Sequence, residues 1–101
     1  MEVDKTFLVI TAIVNKQNIA EVPEYLGSVM QIFSQNGGKP VGRYKTINAL
    51  VGEDSPEMMA VIEFDSSEVI ESMVKGEAFN SLAEQRARVF SKLNMIISQN
   101  G

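Results

Sequence analysis

The chain of 101 residues contains no cysteine and no histidine. Without cysteine there is no thiol nucleophile, no disulfide and no thiolate metal site. Without histidine there is no imidazole metal site and no axial His for haem, and the commonest general base is missing. Neither a metal nor a cofactor is expected. Positive charge is sparse as well. Nine Lys and Arg stand against thirteen Asp and Glu, a formal net charge of −4. The basic residues are scattered, and a phosphate backbone is met by clustered Lys and Arg, so no nucleic-acid partner is expected. Long apolar runs are also lacking. Phe7 to Val14 is too short to span a bilayer, and the acidic "MEVDK" is unlike a signal-peptide n-region. A soluble, cytoplasmic protein without a membrane partner is the expectation.

What is present is ordinary globular material: 45% hydrophobic and 22% charged residues, enough for one domain over residues 1–101 with a modest core. No repeat or low-complexity tract interrupts it. "TFLVITAIV" (Thr6 to Val14) is rich in β-branched residues and predicts a first strand. Asn18 and Glu21 have the spacing of a capping box, and Val22, Tyr25, Leu26, Val29, Ile32 and Phe33 recur at helical spacing. Pro23 marks either a kink or the true helix start. Gly37 and Gly38 end the helix. An extended stretch from Lys39 to Val51 follows, then the turn cluster "GEDSP" and a third strand from Glu57 to Phe64. Asp65 or Ser66 caps a helix whose apolar face is Val69, Ile70, Met73 and Val74. Gly76 breaks it, and a second helical piece carries Ala78, Phe79, Leu82 and Ala83. Lys92 to Ser98 is the last strand.

The order βαββαβ is the α+β, ferredoxin-like plan: a four-stranded antiparallel sheet with helices on one face. A sheet covered on one side should alternate apolar and polar residues. The first strand does not. Phe7, Val9 and Ile13 face one way, and Leu8, Ile10, Ala12 and Val14 the other. In the third strand Met58, Ala60, Ile62 and Phe64 oppose Met59 and Val61. Both sheet faces demand cover, and a second copy of the chain is the simplest cover for the face without helices. A homodimer through sheet faces is expected.

The stretches "NGGKPVGRY", "LVG", "SPEMMAVIEFDSSE" and "GEAFNSLAEQR" occur in that order. With them the chain, from about Thr6 to Ser98, resembles the domain-of-unknown-function 1330 family in the dimeric α/β-barrel group. That family's Ser-Pro-Glu-Tyr-x-x-Leu-x-x-x-Arg stretch is matched at Phe79, Leu82 and Arg86. Gly76, Glu77 and Ala78 replace Ser-Pro-Glu, and Phe79 lacks the Tyr hydroxyl. The resemblance implies the fold and the dimer. It implies no established chemistry, although relatives in the wider group include cofactor-free monooxygenases and ring isomerases.

The candidate pocket residues are Arg86, Glu63, Tyr44, Arg43 and Tyr25. Arg86 continues the apolar stripe of Phe79 and Leu82. The structural reading pairs it with Glu63 or has it snorkel at a dimer edge; the functional reading makes it an anchor for a carboxylate. Glu63 lies in an apolar strand, where it is either ion-paired or a general base. Tyr25 sits on the first helix's core stripe. Arg43 and Tyr44 point to opposite faces of the second strand, so they cannot line one cavity together. Met58, Met59, Met73 and Met95 fill the core or line a pliable cavity. "GGKPVG" lacks the ending of a phosphate loop, and Glu84 with Arg88 is an exposed helical pair. These features favour a homodimer binding a small, partly apolar and carboxylate-bearing ligand between sheet and helices. The alternatives are a cofactor-independent enzyme and a purely structural dimer.

Overall fold

The computed structural model describes residues 5–100; the acidic segment 1–4 noted above lies outside them. Strand β1 runs Thr6–Val14, helix α1 Val22–Gln35, β2 Lys39–Lys45, β3 Met58–Phe64, α2 Ser67–Lys75, α3 Glu77–Asn80, α4 Ala83–Val89 and β4 Phe90–Gln99. The strands form one antiparallel sheet in the order β2-β3-β1-β4. β1, the most apolar strand, is central, as its two apolar faces require. The short axis of the molecule, 17 Å, is one sheet plus one helical layer.

The helices cover the face bearing Leu8, Ala12, Ile62 and Phe64, all buried. Against it α1 presents Tyr25, Val29 and Phe33, each at most 2% exposed. Tyr25 meets Phe90 edge-on with ring centres 5.4 Å apart, and Phe33 meets Phe64 in the same way at 6.0 Å. Ile70 and Met73 of α2, with Phe79 and Val89, complete the core.

The helix boundaries follow local chemistry, with one correction. Gly37 takes the left-handed conformation at φ 81° and donates to Ser34 O, while Gly38 donates to Phe33 O, a complete Schellman stop. A β-carbon on Gly38 would land 2.7 Å from Phe33 O and 2.8 Å from the Phe64 ring. Ser66, not Asp65, caps α2 by accepting from Val69 N–H. The Asn18–Glu21 capping box does not form. Asn15 instead caps a short 3-10 segment, Lys16–Glu21, and α1 starts at Val22 with Pro23 in its first turn. Asn18 donates to Arg88 O and Glu21 pairs with Arg88 at 2.9 Å, so distant partners claim both side chains. For the same reason the expected Glu84–Arg88 pair is replaced by Glu21–Arg88.

Gly76 separates α2 from α3 in an extended conformation, φ −75° and ψ 161°. The break does not need a left-handed residue. It is tight, since a β-carbon there would stand 3.2 Å from Met73 O. A second break at Ser81–Leu82 divides α3 from α4.

The extended stretch after the first helix is shorter than its composition suggests. β2 ends at Lys45, and Thr46 N–H donates to Glu57 O to close the base of an arm that spans residues 47–56. The arm carries Ile47, Leu50 and Val51, each at least 90% exposed. Its returning limb lies on the open-face side, where Asp54 and Pro56 share a hollow with Thr11, Ile13 and Lys92.

Candidate functional site

Register decides which side chains meet. On the helix-covered face Ile10 pairs with Ala60 and Met95, and Ala12 with Met58 and Leu93. Beneath α1 these residues leave a cavity of about 40 Å³, also lined by Tyr25, Met30 and Arg43. That volume holds about two or three waters, so side chains fill most of the space between sheet and helix. The cavity opens into a groove of about 550 Å³, in which α1 supplies Pro23, Leu26, Gly27 and Met30 and the strands supply Arg43 and Met58. A third hollow, of about 110 Å³, shares Met30 and Arg43 and runs along β2. Arg43 is the charged residue common to all three. Among the described residues it makes no ion pair and donates no side-chain hydrogen bond.

Arg86 lies elsewhere. Its Nε donates to Tyr25 Oη at 2.8 Å and its terminal nitrogen to Phe79 O at 2.9 Å, with the guanidinium 3.9 Å from the Phe79 ring centre. It holds the back of Tyr25 while the Tyr25 ring walls the cavity. Burial pushes the Tyr25 phenol above its usual pKa, and the Arg86 charge offsets this only in part. Tyr25 is a neutral wall at physiological pH, not a proton acceptor.

Glu63 and Tyr44 belong to the other face. Glu63 pairs with Lys5 at 3.6 Å, and its strand position opposite Phe7 puts it on the open side, away from Arg86. The expected Glu63–Arg86 pair is therefore not formed: the sheet lies between them. Tyr44, 52% exposed, folds over Gly42, where a β-carbon would displace the Tyr44 ring. Of the five candidates, the structure gathers Tyr25 and Arg43 at one cavity, with Arg86 behind Tyr25. Of the methionines, Met58, Met59 and Met95 line the cavity beside Met30, which the stripe of α1 did not single out, whereas Met73 is core. Among the described residues no three metal-ligating side chains come together, and no helix is long and apolar enough to cross a membrane.

Residues 5–100 match the model of a domain of unknown function, DUF1330. The chain belongs to the DUF1330 family. No curated protein matches it significantly. Solved structures share the fold at low identity. A protein of unknown function from Rhodopseudomonas palustris is 14% identical with a TM-score of 0.79, over 96% of this chain and 82% of that one. A dabb family protein with a ferredoxin-like fold from Mesorhizobium loti is 11% identical with a TM-score of 0.69, over 95% and 96%. A nipsnap family protein of unknown function from Agrobacterium tumefaciens is 14% identical with a TM-score of 0.61, over 96% and 88%. The DUF1330 chain thus has the ferredoxin-like α+β fold that its strand order shows.

Proposed function

We propose that this DUF1330 protein is a homodimer that binds a small, partly apolar anion in the groove between α1 and the sheet, with Arg43 as the anchor. The observation that carries this reading is Arg43 itself: an exposed guanidinium with no ion pair or side-chain hydrogen bond among the described residues, set on the shared rim of an apolar groove and an apolar cavity. A guanidinium fork in such surroundings is matched by a carboxylate. The groove supplies binding groups and no general base, which favours binding over catalysis. Thermal melts and calorimetry with a panel of short organic acids and their neutral amides test it. Acids, and not amides, should stabilise the protein, and Arg43→Gln should abolish the difference. Equal effects of acid and amide on the native protein would refute the anchor.

The dimer rests on the open sheet face. Phe7, Val9, Val61 and Ile96 share it, and the arm exposes Ile47, Leu50 and Val51. Apolar area of this kind is covered in stable proteins, and a specific interface needs about 800 Å² from each partner. Val61→Glu at the centre of the face should shift sedimentation from dimer to monomer. A monomeric native protein at micromolar concentration would refute this part.

A further inference from the structure

Gly27 stands inside α1, where glycine is a poor helix former because it loses the most backbone freedom. Helices keep such a glycine where something must approach their backbone. Among the described residues nothing does so: a β-carbon built on Gly27 meets no atom within 4 Å. Gly27 also lies on the wall of the outer groove, next to Pro23 and Met30 and facing the hollow that Arg43 and Met58 complete.

We infer that Gly27 determines the specificity of the groove by leaving the helix backbone bare, so that the flat ring of an aromatic carboxylic acid lies against it with its carboxylate on Arg43. This rests on the reading of the groove as an anion site. Ring rather than chain follows from the volumes. The inner cavity of about 40 Å³ cannot take a long alkyl tail, so the ligand's bulk stays in the broad outer groove of about 550 Å³. The lining agrees. Met30 and Met58 flank the groove, and thioethers make favourable contacts with aromatic rings. A methyl group on residue 27 would occupy about the thickness of the ring.

The probes are 2-naphthoate, octanoate and the neutral 2-naphthalenemethanol, titrated calorimetrically into the native protein, Gly27→Ala and Arg43→Gln. Naphthoate should bind the native protein at least about tenfold more tightly than octanoate. Without ligand, Gly27→Ala should melt about 3–8 °C higher, because alanine is the better helix former. The same variant should lose about tenfold or more in naphthoate affinity. A rise in stability with a loss of binding excludes misfolding as the cause. Arg43→Gln should lose the preference for naphthoate over the alcohol. Unchanged naphthoate affinity in Gly27→Ala, with the Arg43 dependence intact, would overturn the role of Gly27 and leave the anion site standing. Preference for octanoate would overturn the ring. If the native protein binds neither acid, both the inference and the anion site fall. If Gly27→Ala changes sedimentation and not binding, the bare backbone serves a protein contact, and the inference is overturned.

Discussion

Replacing Arg86 by Met separates a structural arginine from a ligand-binding one, and the geometry sets the size of the effect. Methionine retains much of the aliphatic stem's packing, so the loss is confined to the guanidinium. Phe79 O keeps a second donor, Leu82 N–H at 3.2 Å, and is not orphaned. Tyr25 Oη is different. The residue is 1% exposed, and Arg86 Nε is the donor its hydroxyl oxygen accepts from. Leaving a buried polar group unsatisfied costs about 1–3 kcal/mol. The lost contact with the Phe79 ring adds about 0.5–2 kcal/mol. Together about 1.5–5 kcal/mol is expected, equivalent to a fall of roughly 7–25 °C in Tm for a domain of this size.

The cycle with Tyr25→Phe sharpens the test. Once the hydroxyl is gone, Arg86→Met strands nothing, so the double variant should be more stable than the sum of the single changes predicts. Arg86→Lys should rescue little, because an ammonium cannot reach a phenol and a carbonyl with a planar fork. Thermal and urea melts of the four proteins give the coupling directly. A Tm unchanged by Arg86→Met, or strict additivity with Tyr25→Phe, would refute the structural role.

Amide hydrogen exchange should be slowest in Leu8 to Ile13, because β1 is bonded on both sides by β3 and β4; slower exchange in the edge strand β2 would contradict the sheet order. Glu57 accepts from Val14 N–H and Lys16 Nζ at the base of the arm, and the Val14 hydrogen bond in particular lowers its pKa below the usual 4.5. A depressed folded-state pKa contributes stability above the unfolded value, which is lost as pH falls through the folded one. Acid titration below about pH 4.5 should therefore destabilise the native protein more than Glu57→Gln, and identical acid limbs would refute the contribution.

Much of the architecture was legible because it rests on local pattern. β1 is a run of β-branched residues, the Gly37–Gly38 stop is a backbone requirement, and Ser66 caps α2 through its third-next amide. The misread details all involve a remote partner. Asn18 and Glu21 have capping-box spacing, yet Arg88, about 70 residues on, takes both. The 39–51 stretch has strand composition throughout, but β2 stops at Lys45 because beyond Thr46 the arm leaves β3's edge. Arg86 reads from the sequence as the continuation of one helical stripe with Phe79 and Leu82, but the break at Ser81–Leu82 puts Phe79 in α3 and Arg86 in α4. Its partners were not readable, since they depend on how α4 crosses α1 and on a bend that exposes Phe79 O. Gly27 did carry a signal in the sequence: a glycine midway along a helical stripe, with no turn nearby to account for it.

The site itself turns on a single inserted residue. Along β2, Lys39 pairs with Glu63 and Pro40 with Ile62, but Gly42 pairs with Val61, so Val41 is a bulge. Side chains alternate between faces with a period of two, and an extra residue reverses everything downstream of it. Counted from Lys39 without the bulge, Arg43 would fall on the open face and Tyr44 beneath α1. With the bulge, Arg43 pairs with Ala60 on the helix side, where cavity and groove meet, and Tyr44 turns outward over Gly42. Sequence alternation alone says that Arg43 and Tyr44 part company, and it is silent on which of them enters the pocket. Both sheet faces carry several apolar side chains along β1 and β3, so hydrophobic pattern does not settle the parity of β2 either. The bulge settles it. It sits on an edge strand, where the cost of one unpaired backbone group is smallest because water can reach it. An edge bulge thus puts an exposed arginine on the rim of an apolar groove while leaving the rest of the fold unaltered.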